Sequence, residues 1–463
     1  MTDSKKWSEA LLYTKKSVYE RRDEAAVEAA MEYAKGYAAY LDAAKTEREA
    51  VRESIRLAEE KGFRPYRFGD AMKVGDRFYY NNRGKNLYLF TIGSEPVEKG
   101  IRISAAHIDS PRIDLKQCPL YEEGGMSFFK THYYGGIRKY QWLAIPLSLH
   151  GVVVKKDGTA VEVCVGEDET DPVFYINDLL PHLGHEQDRK PLGEVITGEK
   201  LNILVGSRPF DGEGENDSIK LRTLCLLHEK YGITEEDFLS AELCAVPAFK
   251  ARDVGFDRSL VGAYGHDDRV CAYPALSAIM ENAGSEHTLL CVLADKEEIG
   301  SEGNTGMQSD LLPDLMAAIA KARGADPAAV RAASLCLSAD VSAAYDPNFA
   351  DVFEKRNSAL VSAGVVLTKF TGARGKSSTN DASAEYIGWL RRILAEENVV
   401  WQTAELGKVD CGGGGTVAKY IAAHNIETVD LGVPVVSMHA PYEVIAKVDL
   451  YEAYRAFSAF CRK

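Results

Sequence analysis

The sequence predicts an α/β protein whose mostly parallel central sheet is flanked by helices and interrupted by a β-rich insertion. From residue 248 onward, apolar runs typical of buried strands alternate with helical runs. Between residues 118 and 247 the runs are short and β-like, and many glycines and prolines separate them. At 463 residues the chain is also too long for one ordinary core. We therefore predict a domain of residues 1–117 and 248–463 and an inserted domain of residues 118–247.

The N-terminal part of the first domain is predicted to be helical for about its first sixty residues. Thr46 and Glu49 form a capping-box pattern ahead of an apolar face, and Gly62 supplies a helix stop. The two apolar runs that follow, 87–92 and 101–106, are typical of strands.

The insertion and the C-terminal part differ in the spacing of their apolar runs. In the insertion we predict strands over 144–149, 151–154 and 161–165, and a charged, glycine-rich loop over 209–217. In the C-terminal part, longer apolar runs predict buried strands and the stretches between them predict helices. These strands are 288–294, 334–338, 364–369, 399–403 and 434–438, and two of the helices are 311–323 and 382–398.

Composition excludes several classes of protein. A net charge of −14 leaves no basic surplus for a nucleic-acid partner. No run approaches the roughly 18 apolar residues of a membrane span, and the polar N-terminus lacks the apolar core of a signal peptide, so we expect a cytoplasmic protein without a membrane partner. The nine cysteines form no CxxC pairs, which argues against a thiolate zinc cluster.

The adjacent carboxylates Glu297 and Glu298 are the strongest candidates for chemistry. They follow the apolar run 289–294, where a buried strand of an α/β sheet would open into a site. Neighbouring carboxylates repel each other and attract a cation, so one can bind a metal ion while the other acts as a base. A solvated acidic loop is the alternative, but the apolar lead-in and Ile299-Gly300 favour a buried, functional setting.

Further polar residues follow other predicted strands and are expected to meet at the same edge of the sheet. His107, Asp340 and His439 each follow an apolar run, and Asp267 precedes a probable helix. Taken singly, His107 could be a surface histidine, Asp340 a helix N-cap and His439 a core histidine. Asp109, two residues beyond His107, could accept the imidazole proton of that histidine.

Histidine and carboxylate ligands without thiolate suit zinc, cobalt or manganese in a catalytic site with open positions. One carboxylate could bridge two ions. The run Gly412–Gly415 lies before a predicted helix and could bind an anion or a substrate terminus through backbone N–H groups, but a flexible turn explains it equally well.

The order and spacing of these segments resemble the aspartyl aminopeptidase and vacuolar aminopeptidase I family of co-catalytic zinc metallopeptidases, in its bacterial branch, over nearly the whole chain. The segments that carry the resemblance are Ala106-His107-Ile108-Asp109-Ser110-Pro111, Asp267-Asp268-Arg269, Asp295-Lys296-Glu297-Glu298-Ile299-Gly300, Ser338-Ala339-Asp340 and Ser437-Met438-His439.

The resemblance implies a site with two divalent metal ions per chain, with zinc expected and cobalt or manganese as alternatives. It implies that His107 and Asp340 bind one ion and that Glu298 and His439 bind the other. It further implies that Asp267 bridges the ions, that Glu297 is the general base and that Asp109 is the partner of His107.

The resemblance also implies that the insertion is a dimerisation domain within a tetrahedral homo-oligomer, a dodecamer. Its histidine His182 would reach the active site of a neighbouring subunit. Ala363 replaces a lysine of the eukaryotic aspartyl enzymes, which argues against a preference for acidic substrates.

These observations favour a dinuclear-metal aminopeptidase, a hydrolase that acts on peptides with a free N-terminus. An N-acyl amino acid deacylase or amidase with the same two-metal site is the alternative enzyme. A non-enzymatic scaffold is the third reading, and the complete set of metal ligands argues against it.

Overall fold

A computed structural model describes residues 3–210 and 217–463 of the chain. The described residues form α-helices and three β-sheets. In chain order the helices are α1 (Asp3–Leu11), α2 (Glu24–Ala43), α3 (Glu47–Glu60), α4 (Leu192–Val195), α5 (Ser218–Tyr231), α6 (His266–Glu281), α7 (Leu311–Ala322), α8 (Pro327–Ala333), α9 (Ala384–Glu396), α10 (Ala418–Ala422) and α11 (Lys447–Arg462).

The strands fall into a nine-stranded, a seven-stranded and a five-stranded sheet. In chain order they are β1 (Arg64–Pro65), β2 (Arg77–Asn82), β3 (Asn86–Thr91), β4 (Arg102–His107), β5 (Arg112–Glu123), β6 (Met126–Tyr134), β7 (Leu147–Val154), β8 (Ala160–Val165), β9 (Tyr175–Ile176), β10 (Ile203–Gly206), β11 (Ala241–Pro247), β12 (Arg252–Val254), β13 (Leu260–Ala263), β14 (Leu289–Ala294), β15 (Leu335–Ser338), β16 (Ser342–Ala343), β17 (Val365–Thr368), β18 (Trp401–Thr403), β19 (Glu427–Gly432), β20 (Pro434–Val436) and β21 (Glu443–Ala446).

The nine-stranded sheet has the order β1-β2-β3-β14-β4-β15-β19-β17-β18. Its central strands β14, β4, β15 and β19 are mutually parallel, and antiparallel pairs occur toward the edges. The α/β prediction with a mostly parallel central sheet is therefore confirmed.

Both faces of the central strands of this sheet are buried. Along β14, Leu289, Cys291 and Leu293 pack into a core shared with α6 and α11, whereas Leu290 and Val292 pack into a second core with α7. Burial on both faces explains why this strand is an unbroken apolar run in the sequence. The predicted capping box also forms, because the Thr46 hydroxyl accepts from the Glu49 N–H and the Glu49 carboxylate accepts from the Thr46 N–H.

The seven-stranded sheet has the order β8-β7-β11-β5-β6-β10-β9 and lies between Arg112 and Pro247. It has its own core, in which Trp142 is fully buried. Whether residues 118–247 act as a separate dimerisation domain stays a prediction. Of the loop predicted over residues 209–217, residues 211–216 lie outside the described part of the chain.

The prediction that residues 434–438 form a strand of the central sheet is wrong. These residues contribute β20 (Pro434–Val436) to the five-stranded sheet, whose order is β12-β13-β21-β20-β16. The central position belongs to β19, which pairs in parallel with β15. Gly432 ends β19 beside Asp340, and a Cβ at this glycine would lie 1.7 Å from the Asp340 carbonyl oxygen.

Within the described residues, no helix combines the length and apolar character that a membrane crossing requires. All nine cysteines are free thiols, and five of them are buried.

Candidate active site

The parallel strands bring three predicted site segments to one edge of the central sheet. His107 is the last residue of β4, and it lies in register with Ala294, the last residue of β14. Glu297 follows β14 after a short turn, and Asp340 follows β15 on the other side of β4. This is the edge at which open α/β sheets bind ligands.

Asp267 lies between two imidazoles. Its Oδ1 is 3.1 Å from Nε2 of His107, and its Oδ2 is 3.1 Å from Nε2 of His439. Asp267 is at the first turn of α6, joined to Asp268 by a cis peptide bond. A carboxylate with one oxygen toward each histidine has the arrangement of a bridging ligand.

The remaining candidate carboxylates surround this triad. Oε1 of Glu298 is 3.6 Å from Nε2 of His439. His107, Glu297 and Asp340 present ligand atoms within 4.8 Å of one another, and so do His107, Asp267 and Glu298. The structure thus brings all five predicted metal ligands and the predicted base into one cluster.

Asp109 contacts His107 and also the loop that carries the two glutamates. Nδ1 of His107 lies 3.0 Å from the backbone oxygen of Asp109 and 3.4 Å from its carboxylate. The carboxylate also accepts the N–H groups of Glu297 and Glu298 at 3.1 and 3.2 Å and the Tyr134 hydroxyl at 2.8 Å. Asp109 therefore holds both the histidine and the glutamate loop in place.

Several supporting residues were missed by the sequence analysis. The Glu443 carboxylate accepts the N–H of Asp267 at 3.0 Å and the N–H of His439 at 2.6 Å, so it couples two strand-end segments. Its position four residues after His439 was the available signal. Nδ1 of His439 lies 2.7 Å from the Gly136 carbonyl, and Asp268 adds a further buried carboxylate. No sequence pattern pointed to Gly136 or to Tyr134.

The backbone is strained at two points that aim these side chains. Lys296, which precedes the glutamate pair, has a φ of 65°, and His439 has the same value. Non-glycine residues in this left-handed region are uncommon and concentrate at functional sites. Ile299, which was expected to share a buried setting, is 48% exposed, because the loop turns outward after the two glutamates.

Burial dominates the electrostatics of the carboxyl groups. It raises the pKa of Glu297 to about 7, and it raises the pKa values of Glu298 and Asp340 well above their usual range. Burial also acts on Asp267, but its contacts with the imidazoles of His107 and His439 outweigh it and hold the pKa of Asp267 low. The site holds more negative groups than its two imidazoles can balance.

This site fits divalent cations. Oδ1 of Asp267 and Oε1 of Glu298 are buried and accept no hydrogen bond from the described residues. An unpaired buried carboxylate oxygen is costly unless a cation neutralises it. The nearby ligand atoms are nitrogen and oxygen with no thiolate, a set that suits a catalytic zinc, cobalt or manganese site.

The cluster opens into a pocket of about 420 Å³. Gly413, Gly414 and Gly415 line it, so the glycine run of uncertain role belongs to the wall of this pocket. Ala363 is buried elsewhere and does not line it. His182 is exposed in the turn Pro181–Glu186 and does not line it either, so this chain does not bring His182 to its own site.

Comparisons with known proteins show which family the chain resembles. A family model described as aminopeptidase I zinc metalloprotease (M18) matches residues 40–461. A protein of Clostridium acetobutylicum named probable M18 family aminopeptidase 1 is 50% identical over 458 residues, which cover 97% of this chain and 98% of that protein.

Solved structures give the same result for the fold. The crystal structure of an M18 family aminopeptidase from Thermotoga maritima has a TM-score of 0.93 and 44% identity, and the match covers 98% of this chain and 100% of that one. A dodecamer of the S. cerevisiae protein mApe1 shares the fold, with a TM-score of 0.75 at 21% identity over 94% of this chain and 96% of its own.

Proposed function

The chain belongs to the M18 family of zinc aminopeptidases, and from that premise we propose that it releases the N-terminal residue of peptides with two divalent metal ions and Glu297 as general base. The observation that carries the proposal is the position of Asp267, whose two carboxylate oxygens each lie 3.1 Å from a different histidine. Such an arrangement is what a two-metal hydrolase requires.

In the proposed site, His107 and Asp340 would hold one ion, Glu298 and His439 would hold the other, and Asp267 would be a ligand to both. When bound, the ions would polarise the scissile carbonyl and promote ionisation of the attacking water. Two buried carboxylate oxygens without hydrogen-bond donors, on Asp267 and Glu298, support this assignment.

Glu297 moves the proton. Burial disfavours the charged form of its carboxyl group and raises its pKa, a direction that favours a group able to accept and release a proton. It takes a proton from the attacking water and delivers it to the departing amine. Asp109 positions Glu297 by accepting its backbone N–H at 3.1 Å.

The proposed site also favours a substrate with a free amino terminus. Such a terminus would bind at one of the two ions, and this placement would leave only the first peptide bond beside Glu297. A deacylase would instead accept an uncharged N-acyl group in this position.

The test is the variant Glu297→Gln with Glu302→Gln as its control, because Glu302 is an exposed glutamate of the same loop. We expect Glu297→Gln to keep both metal ions and to lose about 10² to 10⁴ in kcat on leucyl peptides, the usual contribution of a general base. The control should match the wild type. Metal content per chain is measured alongside turnover.

Two results would contradict the proposal. Full turnover in Glu297→Gln would remove Glu297 from the role of base. Faster hydrolysis of N-acetyl-leucine derivatives than of free-amine peptides by the wild-type protein would favour the deacylase.

We further propose that the chain forms a homo-oligomer, in which dimers formed through residues 118–247 assemble into a dodecamer, and that it is cytoplasmic. Exposed apolar side chains in that region, among them Leu183 at 65% and Leu226 at 50%, support an interface there. His182, next to Leu183, would then be available to a neighbouring subunit. Light scattering that gives a monomer at micromolar concentration would contradict the assembly.

A further inference from the structure

We propose that Lys419 and the run Gly413–Gly415 form a subsite for a carboxylate of the peptide substrate. The proposal rests on the proposed function, because these residues line the same pocket as Glu297 and Glu298. Among the described residues that line this pocket, Lys419 is the only lysine or arginine. A cation on the wall of a strongly acidic pocket needs a physical explanation.

The acidic residues around Lys419 do not pair with its ammonium group. Within residues 3–210 and 217–463 its ammonium group forms no ion pair with a carboxylate. Asp430 lines the same pocket, but its carboxylate is buried and accepts from the Thr416 hydroxyl at 2.9 Å. The charge of Lys419 is therefore available to a ligand.

The position of the ammonium group is set by its neighbours. Nζ of Lys419 lies 3.2 Å from the place a Cβ of Gly415 would occupy, so any side chain at residue 415 would displace it. The ammonium also lies 4.6 Å from the ring centroid of Tyr420. The Tyr420 hydroxyl donates to the Gly300 carbonyl at 2.9 Å, which ties this wall of the pocket to the loop that carries Glu297.

Backbone donors lie in the same pocket as the ammonium group. The N–H groups of Gly413, Gly414 and Gly415 donate no hydrogen bond to other described residues, and Gly414 is held instead through its carbonyl, which accepts from the Gly372 N–H at 2.6 Å. Free N–H groups next to a lysine are the donors that a carboxylate prefers. Glycine is needed where the backbone approaches a ligand closely.

The subsite is independent of residue 363. Ala363 precedes β17 at the end of that strand opposite Thr368, and only Thr368 lines the pocket. The loss of a lysine at residue 363 therefore does not decide whether this pocket accepts a carboxylate. The carboxylate could be the C-terminus of a dipeptide or the side chain of an acidic first residue, and the experiment separates these sources.

The experiment compares kcat/KM within two matched substrate pairs. Leu-Gly against Leu-Gly-amide isolates the terminal carboxylate, and Asp-Gly-amide against Asn-Gly-amide isolates the side chain. We expect Lys419→Met to lower the ratio of charged to neutral substrate by about tenfold in one pair, the effect of losing a charge-assisted hydrogen bond. Lys419→Arg should restore part of the ratio.

Lys408→Met is the control, since Lys408 is exposed in the preceding loop and does not line the pocket. A change in the first pair identifies the terminal carboxylate, and a change in the second identifies the acidic side chain. Unchanged ratios in both pairs, with wild-type hydrolysis intact, overturn the subsite alone. If the wild type hydrolyses none of the four substrates, the proposed function itself fails.

Discussion

Two buried clusters of histidine and carboxylate side chains in this molecule differ in their charge balance. Around Asp267, two imidazoles face a larger number of carboxyl groups, and two carboxylate oxygens accept no hydrogen bond from the described residues. Around His150, the negative charges of the carboxylates are balanced by positively charged side chains. Its Nδ1 is 2.8 Å from Glu49, its Nε2 is 3.1 Å from Glu167, and Glu167 also pairs with Lys45 at 2.7 Å.

The two clusters also differ in the pKa values of their glutamates. Burial raises the pKa of Glu297 to about 7, which marks a carboxylate without enough compensating charge. In the second cluster burial acts in the same direction on Glu167, but His150 and the two lysines Lys45 and Lys250 outweigh it and keep its pKa low. Glu49, His150 and Cys164 could by spacing hold a metal ion, yet their charges are already satisfied. Residue type alone does not distinguish a metal site from a structural ion-pair network.

The largest expected effect is that of Asp267→Asn. Removing the bridging charge should release at least one metal ion and lower kcat/KM by about a thousandfold, because several kcal/mol of electrostatic stabilisation are lost. The control is Glu49→Gln in the balanced cluster, which should retain metal content. Metal analysis and steady-state kinetics test both, and a fully metallated, active Asp267→Asn would remove the contrast between the clusters.

A smaller effect, on stability and not on metal content, is expected for His150→Gln. The substitution leaves Glu49 and Glu167 buried with less compensating charge, which typically costs about 3 kcal/mol. We expect a lower midpoint of chemical denaturation, with both metal ions retained. If His150→Gln instead loses a metal ion, the balanced cluster is also a metal site.

The smallest effect is that the difference in stability between the wild type and His150→Gln depends on pH. Burial opposes a charge on His150, but contacts with Cys164, Glu167 and Glu49 raise its pKa to about 11 in the folded protein. Its stabilising contribution is therefore complete below the unfolded pKa of about 6.5 and decreases as pH rises toward 11. The stability advantage of the wild type over His150→Gln should therefore shrink steadily as pH rises from 7 to 10. Denaturation midpoints for both proteins across that range measure the slope, and a constant difference would show that His150 is neutral when folded.

Much of the fold could be predicted because its signals are local. The apolar runs at 288–294 and 334–338 appear as β14 and β15, since central strands buried on both faces must be continuously apolar. The run at 434–438 also forms a strand, but its sheet was mistaken, because an apolar run does not specify which strand will pair with it.

In the candidate site, the residues at the strand ends could be predicted from the sequence, but their hydrogen-bond partners could not. The residues at the strand ends, such as His107 and Glu297, could be named because a polar residue that ends an apolar strand stands out in the sequence. The hydrogen bonds of the Asp109 and Glu443 carboxylates could not be predicted, because they join residues up to 189 positions apart in the chain.

By itself the sequence determined the α/β class, the family resemblance and the chemical types gathered at the strand ends. These follow from hydrophobic periodicity and residue identity, which are properties of short segments. Only the tertiary structure decided that Asp267 faces both His107 and His439, that Lys419 shares their pocket and that His150 lies in a balanced network. Charge balance and hydrogen bonding depend on which distant segments pack together, and that packing is a property of the whole folded chain.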